Sequence, residues 1–249
     1  TLKRCIELAL KNNEMMSIAD KKLKSARGMK QEAFGHFLPS ISGSGSYTKI
    51  SEVSSIMGFK MGEENNYSTK LTLTQPIFTW GKIFQGYKLA GLNEKLTEED
   101  YKKTKNELIL NVKKAFYSVL LAQQYVAISQ EAVEVIEKHY KITQALYKEG
   151  RFSGYDVSRV KVQLVNIKTK LITAKNALTL AKKSLLNLLN YPLAESWKIT
   201  GSLSMATDSP FYQLEKLIQQ ALESRPEIKQ AEIQERIGKA MVKLARAQN

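Results

Sequence analysis

The chain has 249 residues, 43% of them hydrophobic, which is room for one large domain or two small ones with ample core. Gly (13) and Pro (5) are few for an all-β protein, and the single cysteine excludes an internal disulfide and has no partner for a metal site. The net charge of +14 raises nucleic acid as a partner, while the absence of any run near about 18 apolar residues means that entry into a membrane would have to use strands.

Residues 1–38 read as one ascending helix, with Leu2, Ile6, Ala9, Leu10, Ala19, Leu23 and Ala26 as its apolar positions. The pattern stops at Leu38-Pro39, because proline disfavours helical geometry in the residue before it. The residues ahead of Cys5 are not the small ones of a lipid-attachment site, so Cys5 is expected to be an ordinary buried or half-buried residue. A start at Thr1 without Met is expected of a chain whose leader was removed or whose beginning was trimmed.

Over 39–80 the period changes from helical to two. Along Tyr67 to Phe78, Tyr67, Leu71, Leu73 and Ile77 share one face; Ser68, Lys70, Thr72 and Thr74 share the other. Such alternation fits a tilted transmembrane strand, which needs about 9–11 residues, with the apolar set toward lipid. The partner strand, Pro39 to Ile50, is weaker, since Ile41 and Tyr47 share their face with two glycines. The polar stretch 51–66 reads as a solvent loop. A water-facing hairpin of a soluble protein fits the same pattern.

A long helical hairpin is expected over 81–190. In its first arm Leu108, Val112, Ala115, Val119, Ala122, Val126, Ser129, Val133, Ile136 and Tyr140 recur at steps of three and four. Ile109, Phe116, Leu120 and Ile128 widen the stripe, so this helix should touch neighbours on both sides. About 68 residues of helix span roughly 100 Å. In the second arm Val157, Val160, Leu164, Ile167, Leu171, Ala174, Leu178, Ala181, Leu185 and Leu188 form an unbroken seam, and Tyr191-Pro192 stops it. The tip between the arms, 149–155, is short. Gly150 can take the left-handed conformation that ends the first helix, and Ser153 with Asp156 has capping-box spacing.

The basic excess is strongest over 154–190, at Arg159, Lys161, Lys168, Lys170, Lys175, Lys182 and Lys183 against the lone Asp156. These are spread over many turns without aromatic interleaving, which is a solvated helix face rather than a nucleic-acid groove. His36 and His139 lie on separate helices and no nucleophile–base pair or metal spacing appears, so no catalytic residue, metal or cofactor is assigned.

After an irregular linker, 191–211, the start of the chain repeats. A shift of 212 residues places Leu2, Ile6, Ala9, Leu10, Ala19, Met29 and Ala33 on Leu214, Ile218, Ala221, Leu222, Ala231, Met241 and Ala245. Both copies carry a polar break, at Asn12-Asn13 and at Ser224-Arg225-Pro226. Segment 212–249 is thus the first helix of a second repeat. A native polypeptide is expected to continue for roughly another 160–200 residues, by the length of the first repeat.

Three stretches in this order resemble the TolC-type outer membrane factor (outer membrane efflux protein) family. They are Phe37-Leu38-Pro39-Ser40-Ile41 entering the first strand, Leu73-Thr74-Gln75-Pro76-Ile77-Phe78 leaving the second, and Tyr147, Gly150, Ser153, Asp156 and Val157 around the tip. The resemblance implies a mostly α fold with a small β part. Long antiparallel coiled-coil helices form a periplasmic α-barrel, and the hairpin contributes to an oligomeric transmembrane β-barrel. It implies a homotrimer in the outer membrane of a Gram-negative-type bacterium, in contact with outer-membrane lipid. It implies a passive exit duct for efflux or type I secretion, neither an enzyme nor a nucleic-acid binder, served by a periplasmic adaptor and an inner-membrane pump. Gly150, Arg151, Phe152 and Ser153 would meet the adaptor, and Asp156 would belong to the network that shuts the tunnel in some members. Lysines on 154–190 facing the lumen would favour anionic cargo; facing outward they would not. The competing reading is a soluble or periplasmic coiled-coil scaffold with a β-flap.

Overall fold

A computed structural model describes residues 1–51, 64–191, 199–201, 203 and 213–247, with the backbone of 55–56 and 59–60. The expected loop over 51–66 and linker over 191–211 therefore fall largely outside the described residues, as does Pro192. Six helices are described: α1 (Leu2–Asn12), α2 (Glu14–Gly35), α3 (Lys82–Lys148), α4 (Gly154–Leu189), α5 (Leu214–Ser224) and α6 (Pro226–Arg246). The strands are β1 (Ser40–Lys49), β2 (Ser55–Ile56), β3 (Phe59–Lys60) and β4 (Asn65–Thr74). None of the described helices is long and apolar enough to cross a membrane. The chain divides into two units, Thr1–Lys21 with Glu99–Ile228, and Lys22–Glu98 with Lys229–Asn249.

The first unit is built on the two seams. All ten positions of the α4 seam and all ten of the α3 seam are buried or half-buried. At one end α1 closes over them, where Cys5, Ala9 and Met16 join Leu108, Val112, Phe116, Val119, Leu120, Leu185, Leu186 and Leu189 in one core. Burial desolvates the Cys5 thiol and raises its pKa, so it stays protonated and inert. Farther along, Glu137 of α3 accepts from Lys168 of α4 at 2.6 Å, which holds its carboxyl below the usual range. Ile128 departs from its expected place, because it is exposed. It lines an open apolar groove of about 740 Å³ with Leu121, Tyr125 and Ala177. Of the residues that widen the α3 stripe, Phe116 and Leu120 are buried and Ile109 is half-buried, and only Ile128 is left exposed.

Residues 1–38 are two helices rather than one. Asn13 is extended (φ −69°, ψ 132°) and ends α1. Its Oδ1 accepts the Met15 amide at 2.9 Å, so it also caps α2, and its Nδ2 donates to the Leu188 carbonyl of α4 at 2.9 Å. Asn190 reciprocates by donating to the Asn12 carbonyl at 3.2 Å. Segment 212–249 is likewise two helices. Arg225 stands where the 212-residue shift places Asn13, with φ −71° and ψ 125°, and Pro226 opens α6 at the helix position that suits it. The helix boundaries of α1 and α5 coincide under that shift, so the repeat is structural as well as sequential. The end of α4 is set by Asn190 in the left-handed region (φ 45°), ahead of Pro192. Asparagine tolerates that conformation better than most residues.

In the second unit, α2 and the start of α3 are tied by Glu94, which accepts from Lys30 at 2.8 Å and faces Arg27 at 3.6 Å. Beyond this pair Phe34, Phe37 and Tyr87 cluster, with ring centroids 5.9–6.2 Å apart. Leu23, Ala26 and Ala240 are its buried apolar residues.

Candidate functional site

Two places combine unusual geometry with exposed apolar groups, one in each unit. The first is the β1–β4 hairpin. The two strands pair antiparallel over ten residues each, from Ser40↔Thr74 to Lys49↔Asn65. Directly opposed residues share a face. One face therefore holds Ile41, Gly43, Gly45, Tyr47, Tyr67, Thr69, Leu71 and Leu73, with Lys49 and Asn65 at its far end. The other holds Ser42, Ser44, Ser46, Thr48, Asn66, Ser68, Lys70 and Thr72. The glycines make room, since Leu71 Cδ1 lies 3.9 Å from where a Gly43 side chain would start. On the apolar face Leu71 is 79% and Leu73 67% exposed, so none of the described residues covers them. Tyr47 and Tyr67 stack at 5.0 Å near one end.

The strand is shorter than the alternation suggests. It ends at Thr74, and Ile77 lies beyond it, almost fully exposed. Pro76 has no N–H for the ladder, and Gln75 Nε2 turns back to the Phe37 and Pro76 carbonyls at 3.2 and 3.1 Å. Trp80 (φ 51°) and Gly81 (φ 84°) are both left-handed and swing the chain into α3. Phe78 and Trp80 meet edge to face at 5.0 Å and are exposed.

The second place is the turn between α3 and α4. Gly150 is left-handed (φ 78°). Its amide donates to the Tyr147 carbonyl at 3.0 Å and the Arg151 amide to the Leu146 carbonyl at 2.9 Å, the paired bonds of a Schellman end. Ser153 then starts α4. Its Oγ accepts the Asp156 amide at 3.2 Å while its own hydroxyl and amide donate to Asp156 Oδ2 at 2.7 and 3.1 Å. This is a complete capping box. Arg151 and Phe152 project from the turn, exposed. Tyr147 and Tyr155, exposed on the flanking turns, enlarge the aromatic surface. Tyr155 falls within the expected tip, 149–155, but the sequence assigns it no docking role, because it precedes the first seam position, Val157, and reads as ordinary helix surface.

The Asp156 carboxyl lies below its ordinary pKa, first through the Ser153 hydroxyl bond, then the Ser153 amide, with Arg159 at 3.9 Å adding to the shift. A depressed carboxyl stabilises the fold above the ordinary aspartate range, and that contribution is lost as pH falls through the folded-state value. Amide exchange in the first turn of α4, corrected for intrinsic rates, should rise over that acidic window. Asp156→Asn should flatten the profile; coincident profiles would show that the carboxylate adds nothing to the cap.

The fold that carries the long helical hairpin and the strand pair is similar to that of outer-membrane channel proteins. The Campylobacter jejuni CmeC outer membrane channel superposes with a TM-score of 0.82 at 23% identity, over 98% of this chain and 52% of that one. The outer membrane protein VceC from Vibrio cholerae gives 0.77 at 20% identity, over 99% and 59%. The open-state MtrE outer membrane channel of Neisseria gonorrhoeae gives 0.75 at 18%, over 99% and 54%. The chain thus spans about half the length of these channels. By sequence it matches none of the curated proteins. It belongs to the outer membrane efflux protein family, whose signature covers residues 5–191.

Proposed function

We propose that the protein is a subunit of an outer-membrane exit duct, a homotrimer that gives passive passage for efflux or type I secretion. In this reading residues 39–80 are a transmembrane hairpin with an extracellular loop over 51–66, 81–190 form the periplasmic helical hairpin with its tip at 149–155, and 191–211 is the equatorial linker. Segments 1–38 and 212–249 are the equivalent ascending helices of two repeats. Gly150, Arg151, Phe152 and Ser153 meet a periplasmic adaptor that is coupled to an inner-membrane pump. Asp156 acts first as a cap, since both its bonds to Ser153 would have to break before it could join a gate. The role is transport, not catalysis.

One observation carries this reading: the hairpin presents Ile41, Leu71 and Leu73 uncovered on one face, whose only charge, Lys49, lies at the strand end, and Ser, Thr and Lys70 on the other. Ten residues at about 3.3 Å, tilted by about 40°, rise about 25 Å, the height of the apolar band of outer-membrane barrels. Both outer edges of the two-stranded β1–β4 sheet are open, and each unpaired backbone group would cost several kcal/mol in lipid. Further strands are needed to close it, which favours oligomerisation. The exposed apolar residues on α3 and α4, such as Tyr125, Ile172 and Leu180, suit a closed helical cylinder.

Transport assays on tip variants test the duct. Phe152→Asp places a charge where an apolar knob would dock, and Gly150→Val forces a β-branched residue to φ 78°. Both should lower transport while membrane level and assembly stay normal. Normal transport by both would remove the tip from the mechanism.

A further inference from the structure

The second unit contains a cavity of about 490 Å³ between α2, α3 and α6 whose lining includes six cationic side chains: Lys30, Lys88, Lys95, Arg236, Lys239 and Lys243. Among the described residues no carboxylate lines it. Lys30 is neutralised by Glu94 at 2.8 Å and Lys239 by Glu235 at 2.5 Å, both from outside the lining. Lys88, Lys95 and Lys243 have no such partner among the described residues, and Arg236 feels the neighbouring Glu235 carboxylate without an ion-pair contact to it. The helical spacing aims them together: Lys88 and Lys95 stand two turns apart on α3, and Arg236, Lys239 and Lys243 follow the three-four step on α6.

The backbone leaves the space between them open. Gly91 lies between the two α3 lysines, and the nearest heavy atom to a side chain added there is Lys30 Cε at 3.9 Å. Ala240, buried, lies between the α6 cations. Small residues at the floor and long cations at the rim make a cavity that accepts a compact anion. Like charges gathered around one concavity repel, and a multivalent anion turns that repulsion into attraction. Arg236 adds a planar fork that matches phosphate oxygens, with lysine ammoniums as point charges around it.

We propose that this cavity is a binding site for a phosphate-bearing anion, either a soluble solute or the headgroup of an anionic lipid. The site lies within one unit and does not depend on where the hairpin is embedded.

Calorimetric titration of the purified protein in zwitterionic detergent with inorganic pyrophosphate, at low ionic strength, provides the test. The variant Lys95→Gln/Arg236→Gln/Lys243→Gln is compared with Lys161→Gln/Lys170→Gln/Lys175→Gln, which removes equal charge from the exposed face of α4. Affinity should fall at least about tenfold in the cavity variant, with the control close to the unmodified protein. Gly91→Leu, which fills the cavity without removing charge, should weaken binding as well. Retention of phosphatidylglycerol from mixed phosphatidylcholine vesicles separates the sources. Loss of the lipid in the cavity variant alone, with displacement by pyrophosphate, identifies a headgroup; pyrophosphate binding with equal lipid retention in both variants identifies a soluble anion. Equal weakening in cavity and control variants, unchanged binding by Gly91→Leu, or no binding of either probe would overturn the proposal.

Discussion

Leu71→Arg should strip the protein from the membrane-inserted fraction, while Thr72→Arg should leave it there. The two residues are adjacent on β4, so the substitutions share strand, depth and side chain and differ only in face. Leu71 opposes Gly43 on the uncovered apolar face near the middle of β4, and Thr72 opposes Ser42 on the face that also holds Lys70. An arginine toward lipid near the midplane costs about 2–4 kcal/mol, and one toward an aqueous lumen costs little. Detergent-extractable protein per cell, normalised to total protein, reads the difference. Equal insertion of the two variants would mean that the faces are reversed or that lipid does not meet this hairpin.

Leu189→Ala should be a strongly damaging truncation in the first unit. Leu189 is 0% exposed and lies at the end of α4 within the core that α1 closes. Truncating a fully buried leucine costs about 2–5 kcal/mol, depending on how far the cavity collapses. Leu180→Ala on the same helix removes the same atoms from a side chain that is exposed within the chain. In the isolated subunit that change should fall within about 0.5 kcal/mol. Chemical unfolding followed by helical circular dichroism gives both values. A small loss at Leu189 would show that α1 does not pack on α4 as described.

The seams were legible because a coiled coil is a local code. A stripe at three-four spacing must be covered, and every position read from it on α3 and α4 is at least half-buried. The tip was legible for the same reason: a Schellman end and a capping box are settled by residues within a few positions of each other. The break at Asn13 was not. Asparagine is tolerated within helices, and what stops α1 here includes a bond to Leu188, 175 residues away. The end of β4 was misread because alternation continues through Ile77, although Pro76 cannot serve the ladder. The cationic cavity was invisible in principle, since its members come from three helices that only tertiary structure brings together. The lysine excess that the sequence made conspicuous lies instead on α4, where Lys161, Lys170, Lys175 and Lys183 are exposed.

Separation of inner and outer membranes on a sucrose gradient, with immunodetection of this protein, tests the outer-membrane duct most directly. The protein should migrate with the outer membrane, resist a high-salt wash and come free only in detergent. Recovery in a soluble fraction without detergent would contradict the duct and leave a coiled-coil scaffold whose hairpin is a water-facing flap.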